Sequence, residues 1–165
     1  MNDFDFLVGE WTITNRRLRE RLVGSDDWEE FASTSVVHNL FDGAANVDEI
    51  TFPSKGFKGL TLRLFDPERE EWSLYWANSQ TGVLFPPVVG RFEGGRGVFF
   101  GDDIEGGIPV RVRYIWSEIT PTSARWEQAF STDQGKTWET NWIMELTRPT
   151  RRVSRHQAKA TRSPG

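Results

Sequence analysis

The 165-residue sequence contains no cysteine. Disulfide bonds and thiolate catalysis are therefore excluded, and any metal site would have to rely on carboxylates and histidines. A chain that needs no disulfides is typical of a reducing compartment, so we predict a cytoplasmic protein.

Long apolar runs are also missing. No segment approaches the ~20 apolar residues of a membrane-spanning helix, so we predict no membrane span. The first residues, "MNDFDFLVGEW", carry acids where a signal peptide requires positive charge, which predicts that no signal peptide is present.

Basic residues are scarce outside the C-terminal end. Residues 148–165 hold six of the 20 Lys and Arg and none of the 24 acids, so residues 1–147 carry 14 basic against 24 acidic side chains. An acidic body argues against nucleic acid as a partner. The stretch 149–165 is rich in Arg, Ser, Thr and Pro without hydrophobic periodicity, and we predict a basic, disordered tail following a domain of residues 1–148.

Only two histidines occur, His38 and His156. A haem or transition-metal site would depend on His38, and a Ser-His-Asp set would have no other base within the predicted domain. We therefore predict no metal and no cofactor, and we assign no catalytic residue.

Helical periodicity is scarce, whereas short runs with period-two alternation recur between Gly, Pro and Asp turns. These runs predict ten strands, at 9–22, 28–39, 46–52, 58–65, 70–77, 87–93, 97–103, 108–118, 123–131 and 136–147. Residues 2–7 and 41–46 could form short helical turns. Without room for crossover helices, we predict an all-β, antiparallel up-and-down barrel, with a sandwich as the alternative.

The alternation also predicts which side chains face inward. Burying the face richer in Trp and Leu removes more apolar area from water. On that basis the interior would receive the following side chains: Leu60, Leu62, Leu64, Trp72, Leu74, Trp76, Trp138, Thr140, Trp142, Met144 and Leu146. On the other face, Arg113 would lie near Glu127 and Glu127 near Asn141, and these residues would form a cross-strand ladder outside or, in the alternative, a charged anchor inside.

Several polar residues share this aromatic face and are candidates for a ligand site. A few hydrogen-bonding groups in an aromatic wall are typical of small-molecule cavities, although the same residues also fill ordinary cores. The predicted ligand-binding residues are Asn15, Arg17, Glu49, Trp76, Tyr114, Trp116, Trp126, Gln128, Thr140 and Trp142. Glu49 and Arg17, together with Asn46, would be polar anchors, and an inward Glu49 would need a partner such as Arg17 or Arg63.

The stretch "FSTDQGKTWE" contains Ser131-x-Asp133-x-Gly135-x-Thr137-Trp138, which is similar to the Asp-box repeat of sialidases. Those enzymes are longer, repeat the motif, and use a Tyr nucleophile with an arginine cluster. This chain has one copy and two tyrosines. We therefore interpret the motif as a hairpin turn rather than as part of a glycosidase.

Two family resemblances support the barrel. Gly9-x-Trp11 together with Arg148 resembles the calycin pattern of lipocalins and fatty-acid-binding proteins, which implies that Trp11 plugs one barrel end and Arg148 packs over it. Over residues 3–148, segments such as "DFDFLVGEWTITNRRL", "WSLYW", "PPVVGRFE" and "TWETNW" resemble an uncharacterised bacterial lipocalin-like family related to the DUF1579 group. This resemblance implies a fold and no particular activity.

Three functional hypotheses follow. The first is a non-enzymatic barrel that binds a small apolar or aromatic molecule in an aromatic-lined cavity. The second is an enzyme that uses this cavity, such as a cyclase, isomerase or dehydratase acting on a hydrophobic metabolite. The third is a β-domain with a filled interior whose outer surface forms a homodimer. A cavity of roughly 300–1,000 Å³ would favour the first two.

Overall fold

The computed structural model describes residues 2–149. Ten antiparallel strands close into one barrel, as predicted. The strands are β1 Gly9–Leu18, β2 Trp28–Leu40, β3 Ala45–Phe52, β4 Phe57–Asp66, β5 Glu71–Asn78, β6 Val88–Glu93, β7 Arg96–Glu105, β8 Ile108–Ser117, β9 Ser123–Ser131 and β10 Glu139–Thr147. The 3₁₀ turns Asp5–Leu7 and Phe41–Gly43 lie in the two segments predicted to be helical. The predicted tail lies outside the described residues, apart from Pro149.

Each strand pairs with the next along the chain, and the pairing of β1 with β10 closes the barrel. This closure leaves no strand edge without a partner in the barrel. We call the end of the barrel where β1 finishes the mouth. At the mouth, β1 and β10 are both shorter than predicted, because β1 ends at Leu18 and β10 begins at Glu139. The opposite end, where Thr12 pairs with Thr147, is the closed end.

The closed end has the arrangement that the calycin resemblance implies. Trp11 is buried, and the Arg148 guanidinium lies 3.7 Å from the centroid of its ring. Arg148 also donates to the backbone oxygens of Phe6 and Glu10, at 2.9 and 3.2 Å. Gly9 has a φ of +110°, and a Cβ there would meet the Arg148 side chain at 2.9 Å. Glycine is therefore required both for the backbone conformation and for the approach of the arginine.

The N-terminal segment fills the closed end from inside. Phe4 is buried and makes an edge contact with Trp72 at 4.9 Å. The indole nitrogen of Trp72 donates to Asp3 at 2.9 Å, and that of Trp11 donates to the Leu7 carbonyl at 2.8 Å. Buried indole nitrogens need such acceptors, so these bonds hold the segment in the barrel.

The predicted inward face of β4 is wrong. Arg63 is buried within the barrel, and Thr61 lines its cavity, whereas Leu60 is 41% exposed. Since side chains alternate along a strand, Leu60, Leu62 and Leu64 share the outer face. Register gives the physical reason: Thr61 is opposite Trp76 of β5, and Arg63 is opposite Leu74, so the inward Trp and Leu of β5 place the β4 leucines outside.

The predicted face is also wrong at the start of β10, because a β-bulge lies at Asn141. Thr140 pairs with Ala129 and Trp142 with Gln128, so one extra residue separates two consecutive partners. A bulge reverses the alternation. Trp142 faces inward as predicted, but Thr140 and Trp138 face outward. The Trp138 ring lies 6.0 Å from Phe100 and 4.5 Å from the Arg113 guanidinium on the barrel exterior.

A charge ladder lies on the exterior of β9 and β10 and includes Glu127, as predicted, whereas the predicted member Asn141 is buried at the bulge. Arg125 forms ion pairs with Glu145 at 3.0 Å and with Glu127 at 3.5 Å, and all three side chains keep contact with solvent. Exposed pairs of this kind contribute about 0.2–1 kcal/mol each. The ladder therefore covers the outside of the sheet and leaves the interior to the aromatic residues.

The Asp-box sequence forms the hairpin between β9 and β10 at the mouth. Asp133 accepts hydrogen bonds from the hydroxyls of Thr137 at 2.6 Å and Ser131 at 2.7 Å, and from the Thr137 backbone N–H at 2.9 Å. The Ser131 hydroxyl accepts from the Gly135 N–H at 2.8 Å. These bonds close the turn, as the interpretation from sequence predicted.

The same bonds predict how Asp133 titrates. Hydrogen bonds from Thr137, followed by those from Ser131, hold the pKa of Asp133 well below its usual 3.8. A depressed folded-state pKa stabilises the protein above the unfolded value, and this contribution is lost as the pH falls through the folded value. Thr137→Val should therefore raise the pKa of Asp133 in an NMR titration of its carboxyl carbon, whereas Thr132→Val, at an exposed neighbour, should leave it unchanged. An equal effect of both variants would contradict this origin of the shift.

Candidate functional site

The barrel encloses a cavity of about 240 Å³ that opens at the mouth. Its volume is slightly below the ~300–1,000 Å³ of typical small-molecule pockets. Its wall is largely apolar, and its aromatic members include Trp76, Tyr114, Trp116, Trp126, Phe130 and Trp142. Leu7 and Leu146 lie towards the closed end, and Phe85 and Pro86 lie at the mouth, just before β6 begins.

Most of the residues predicted to bind a ligand lie in this wall. They are Arg17, Trp76, Tyr114, Trp116, Trp126, Gln128 and Trp142. Asn15 lies behind the wall, because its Oδ1 accepts from the Trp142 indole N–H at 3.0 Å and its Nδ2 donates to Ser33 at 2.8 Å. Asn15 thus fixes the orientation of a wall residue and does not line the cavity itself.

The two remaining predicted site residues lie outside the wall. Thr140 faces outward because the bulge at Asn141 reverses the alternation of β10. Glu49 is exposed on the outer face of β3, and the cavity receives its neighbour Asp48 instead. The prediction that Thr140 and Glu49 point inward is therefore wrong.

Asp48 belongs to a buried polar group, of which only Asn46 was predicted from the sequence as a polar anchor. The Arg63 guanidinium donates to Asp48 at 2.6 Å and to the Asn46 amide oxygen at 2.7 Å. Arg63 also lies 5.2 Å from the Phe4 ring and 5.8 Å from the Trp116 ring. The available signal was the i, i+2 spacing of Asn46 and Asp48, which places both on one face beside an arginine of the adjacent strand.

Tyr114 and Gln128 bring further polar atoms to the cavity. Burial, together with the charge of Asp103, raises the pKa of Tyr114 to about 12. Its hydroxyl therefore stays protonated at neutral pH and can donate a hydrogen bond. Gln128 donates to the Asn141 side chain at 2.9 Å, so the bulge residue holds this amide in place.

Arg17 lies near the mouth, on the inner side of β1. Its guanidinium is 4.5 Å from the centroid of the Trp142 ring, and its Nε is buried without a hydrogen-bond partner. Burial, reinforced by the charge of Arg21, lowers the pKa of Arg17 from its usual 12.5. Even so, a guanidinium stays protonated near neutral pH, so the mouth carries a fixed positive charge.

The loop between β1 and β2, residues 19–27, reaches across the mouth. Arg21 forms an ion pair with Glu105 of β7 at 2.7 Å, and the Leu22 backbone N–H donates to Glu139 of β10 at 2.7 Å. Leu22 also packs against the hydrophobic core. The loop is thus fastened at two points and partly covers the entrance.

Within residues 2–149, no group of three or more His, Asp or Glu side chains is placed to hold a metal ion. The same part of the chain contains no helix with the length and apolar character needed to cross a membrane.

Comparison with known proteins supports the fold. No protein-family model matches the chain, and no curated protein is similar to it. Among solved structures, the S-type phycobiliprotein lyase CPES from Guillardia theta has a similar fold, with a TM-score of 0.58 over 89% of this chain and 90% of that chain. The sequence identity is 13%, so the similarity shows a lipocalin-like barrel and does not carry an activity.

Proposed function

We propose that the protein binds a small apolar or aromatic molecule inside the barrel. The observation that carries this proposal is the aromatic-lined cavity of about 240 Å³, open at one end. In a domain stabilised only by its core, this interior would be filled by side chains, because protein interiors pack as densely as organic crystals. The cavity therefore counts against the filled interior of the third hypothesis, while the homodimer stays a prediction.

The wall indicates the kind of molecule that would bind. Trp126 presents its ring edge-on to Trp142 at 5.7 Å and to Tyr114 at 5.0 Å, so rings of several orientations surround the cavity. Flat aromatic groups pack well against such surfaces. The limited volume favours a compact ligand, or a longer ligand that extends through the mouth.

An enzyme in the same cavity is the second hypothesis, and the polar groups support it less well. Asp48 is the carboxylate placed deep in the wall, and Arg63 already holds it at 2.6 Å. A general base must be free to take a proton from the substrate. The Tyr114 hydroxyl, with its raised pKa, is suited to donating a hydrogen bond. These groups orient a ligand more readily than they activate it.

The relationship to the DUF1579 group remains part of this proposal and rests on the quoted sequence segments. Bacterial origin and a cytoplasmic location are likewise proposals drawn from the sequence. The structural neighbour, named a phycobiliprotein lyase, supports the fold alone and bears on neither the family, the origin nor the location.

Filling the cavity should weaken ligand binding. Thr61 lines the cavity opposite Trp76, and Thr61→Phe would occupy the space with an apolar ring. We expect the affinity for the neutral probe N-phenyl-1-naphthylamine, measured by its fluorescence and by quenching of Trp emission, to fall by about tenfold or more.

Leu60→Phe is the matched control, because Leu60 is the adjacent residue on β4 and faces outward, with 41% of its surface exposed. Its probe affinity should equal that of the wild type. Binding of the probe to Thr61→Phe with wild-type affinity would contradict the proposal, as would a wild-type protein whose Trp fluorescence responds to no apolar or aromatic compound of a broad panel.

A further inference from the structure

Arg17 differs from the other arginines near the mouth because it makes no ion pair with any described residue. The carboxylates that act on it electrostatically are Glu105 and Glu29. Glu105 is held by Arg21 at 2.7 Å, and Glu29 is held by Lys55 at 2.7 Å. These carboxylates therefore already have partners, whereas Arg17 has no ion-pair partner among residues 2–149.

The position of Arg17 makes this lack of a partner costly. Its Nε is buried without a hydrogen-bond partner, and its Cζ lies 4.5 Å from the centroid of the Trp142 ring. Removing a charged group from water costs free energy unless hydrogen bonds and an opposite charge compensate. A guanidinium is also planar, and its fork of N–H donors is suited to an oxyanion with two acceptor oxygens.

The charges around the mouth are unevenly distributed, with an acidic side chain near β7 and Arg17 on β1. Asp103 is on β7, four strands from β1 around the barrel, and borders the cavity. Glu105 is neutralised by Arg21, whereas Asp103 adds negative charge beside Tyr114. An anion at the mouth would thus be repelled near β7 and attracted to Arg17 on β1.

We propose that the ligand carries an acid group, such as a carboxylate or a sulfonate, which Arg17 binds at the mouth while the apolar body of the ligand lies in the aromatic cavity. This inference rests on the proposed function and adds the chemical class of the ligand. Arg17 is the residue that selects acidic over neutral ligands. Trp142 links the two parts of the site, because its ring lines the cavity and also contacts the Arg17 guanidinium.

Two probes with one aromatic skeleton test the inference. 1-Anilinonaphthalene-8-sulfonate is anionic, and N-phenyl-1-naphthylamine is its neutral counterpart. The quantity to measure is the ratio of their affinities by fluorescence titration. Arg17→Gln should lower the anionic-to-neutral ratio by about tenfold to a hundredfold, since hydrogen bonds to charged groups are the strong ones.

Arg16→Gln is the matched control. It removes the same charge from the next residue of β1, whose side chain points outward, 3.8 Å from Glu30 and 5.1 Å from the Trp28 ring. Its affinity ratio should stay within about twofold of wild type, because an exposed charge is screened by solvent and salt. Arg17→Lys, which keeps the charge and loses the planar donors, should retain part of the preference for the anionic probe.

The outcomes separate the two proposals. If the neutral probe binds and Arg17→Gln leaves the ratio unchanged, or weakens both probes equally, Arg17 does not bind an acid group and the inference is overturned while the proposed function stands. If neither probe binds the wild-type protein, the proposed function fails as well. If Arg17→Gln does not fold, Arg17→Lys decides: a ratio identical to wild type at high and low salt would overturn the inference, and a lowered, salt-dependent ratio supports it.

Discussion

Arg63→Met is expected to lower the free energy of unfolding by about 3–5 kcal/mol, because the carboxylate of Asp48 would remain buried without its partner. The pair is well enclosed, with the side chains of Arg63 and Asp48 retaining only 5% and 9% of their exposure. Asn46 would also lose the donor that its amide oxygen accepts from at 2.7 Å. Urea unfolding followed by Trp fluorescence measures the loss.

Two comparisons isolate the buried charge as the cause. Arg111→Met removes an arginine from an exposed pair with Asp102 at 3.2 Å, and it should cost no more than about 1 kcal/mol. Combining Arg63→Met with Asp48→Leu should recover most of the loss, because apolar residues can replace a buried ion pair at little cost. If the double variant were as unstable as Arg63→Met, the loss would come from packing rather than from the unpaired carboxylate.

Trp142→Ala should cost about 3–5 kcal/mol, the usual range when a large aromatic side chain is removed from a core. Trp142 is 8% exposed, packs edge-on against Trp126, and donates its indole N–H to Asn15. Its removal would widen the cavity and leave the Asn15 oxygen without this donor. Equilibrium unfolding in urea gives the loss, and a value under about 1 kcal/mol would show that Trp142 does not face inward.

Trp138→Ala is the natural companion variant. Trp138 is four residues earlier, on the other side of the bulge, and packs outside the barrel against Phe100 and Arg113. We expect a clearly smaller loss than for Trp142→Ala, since part of the Trp138 ring already contacts water. Equal losses would mean that the two tryptophans share one face and that the bulge is absent.

The barrel could be predicted from the sequence because its elements depend on local patterns. Period-two alternation and Gly, Pro or Asp turns locate strands whatever their neighbours are. The Trp11–Arg148 contact could also be predicted, because a recognisable pattern joins the first and last strands. These features need no knowledge of how the barrel interior is packed.

The faces of β4 and of early β10 could not be predicted in this way. Alternation tells which residues share a face, but not which face is buried. In β4, the leucine stripe looked like a core, whereas cross-strand register placed Thr61 and Arg63 inside. In β10, the single extra residue at Asn141 reversed the alternation without any Gly or Pro to mark it.

The candidate site was partly predictable for the same reasons. Trp76, Tyr114, Trp126 and Trp142 follow from the aromatic stripes that the strands present. Asp48 faces the cavity where Glu49 was predicted to do so. The two acids are adjacent in one strand, and adjacent side chains point to opposite faces of the sheet, so an error of one residue selects the wrong carboxylate. The cavity volume depends on how all the side chains pack together, which no single strand pattern contains.

The seam between β1 and β10 has a consequence for the order of folding. Thr12 pairs with Thr147, so the barrel cannot close until nearly all of the described chain has been synthesised. Until then β1 has a free edge, of the kind that pairs readily with other chains. Pairings so distant along the chain also slow folding, because the loop-closure entropy is lost before the contact forms. We therefore expect nascent chains that stop before β10 to need protection from aggregation.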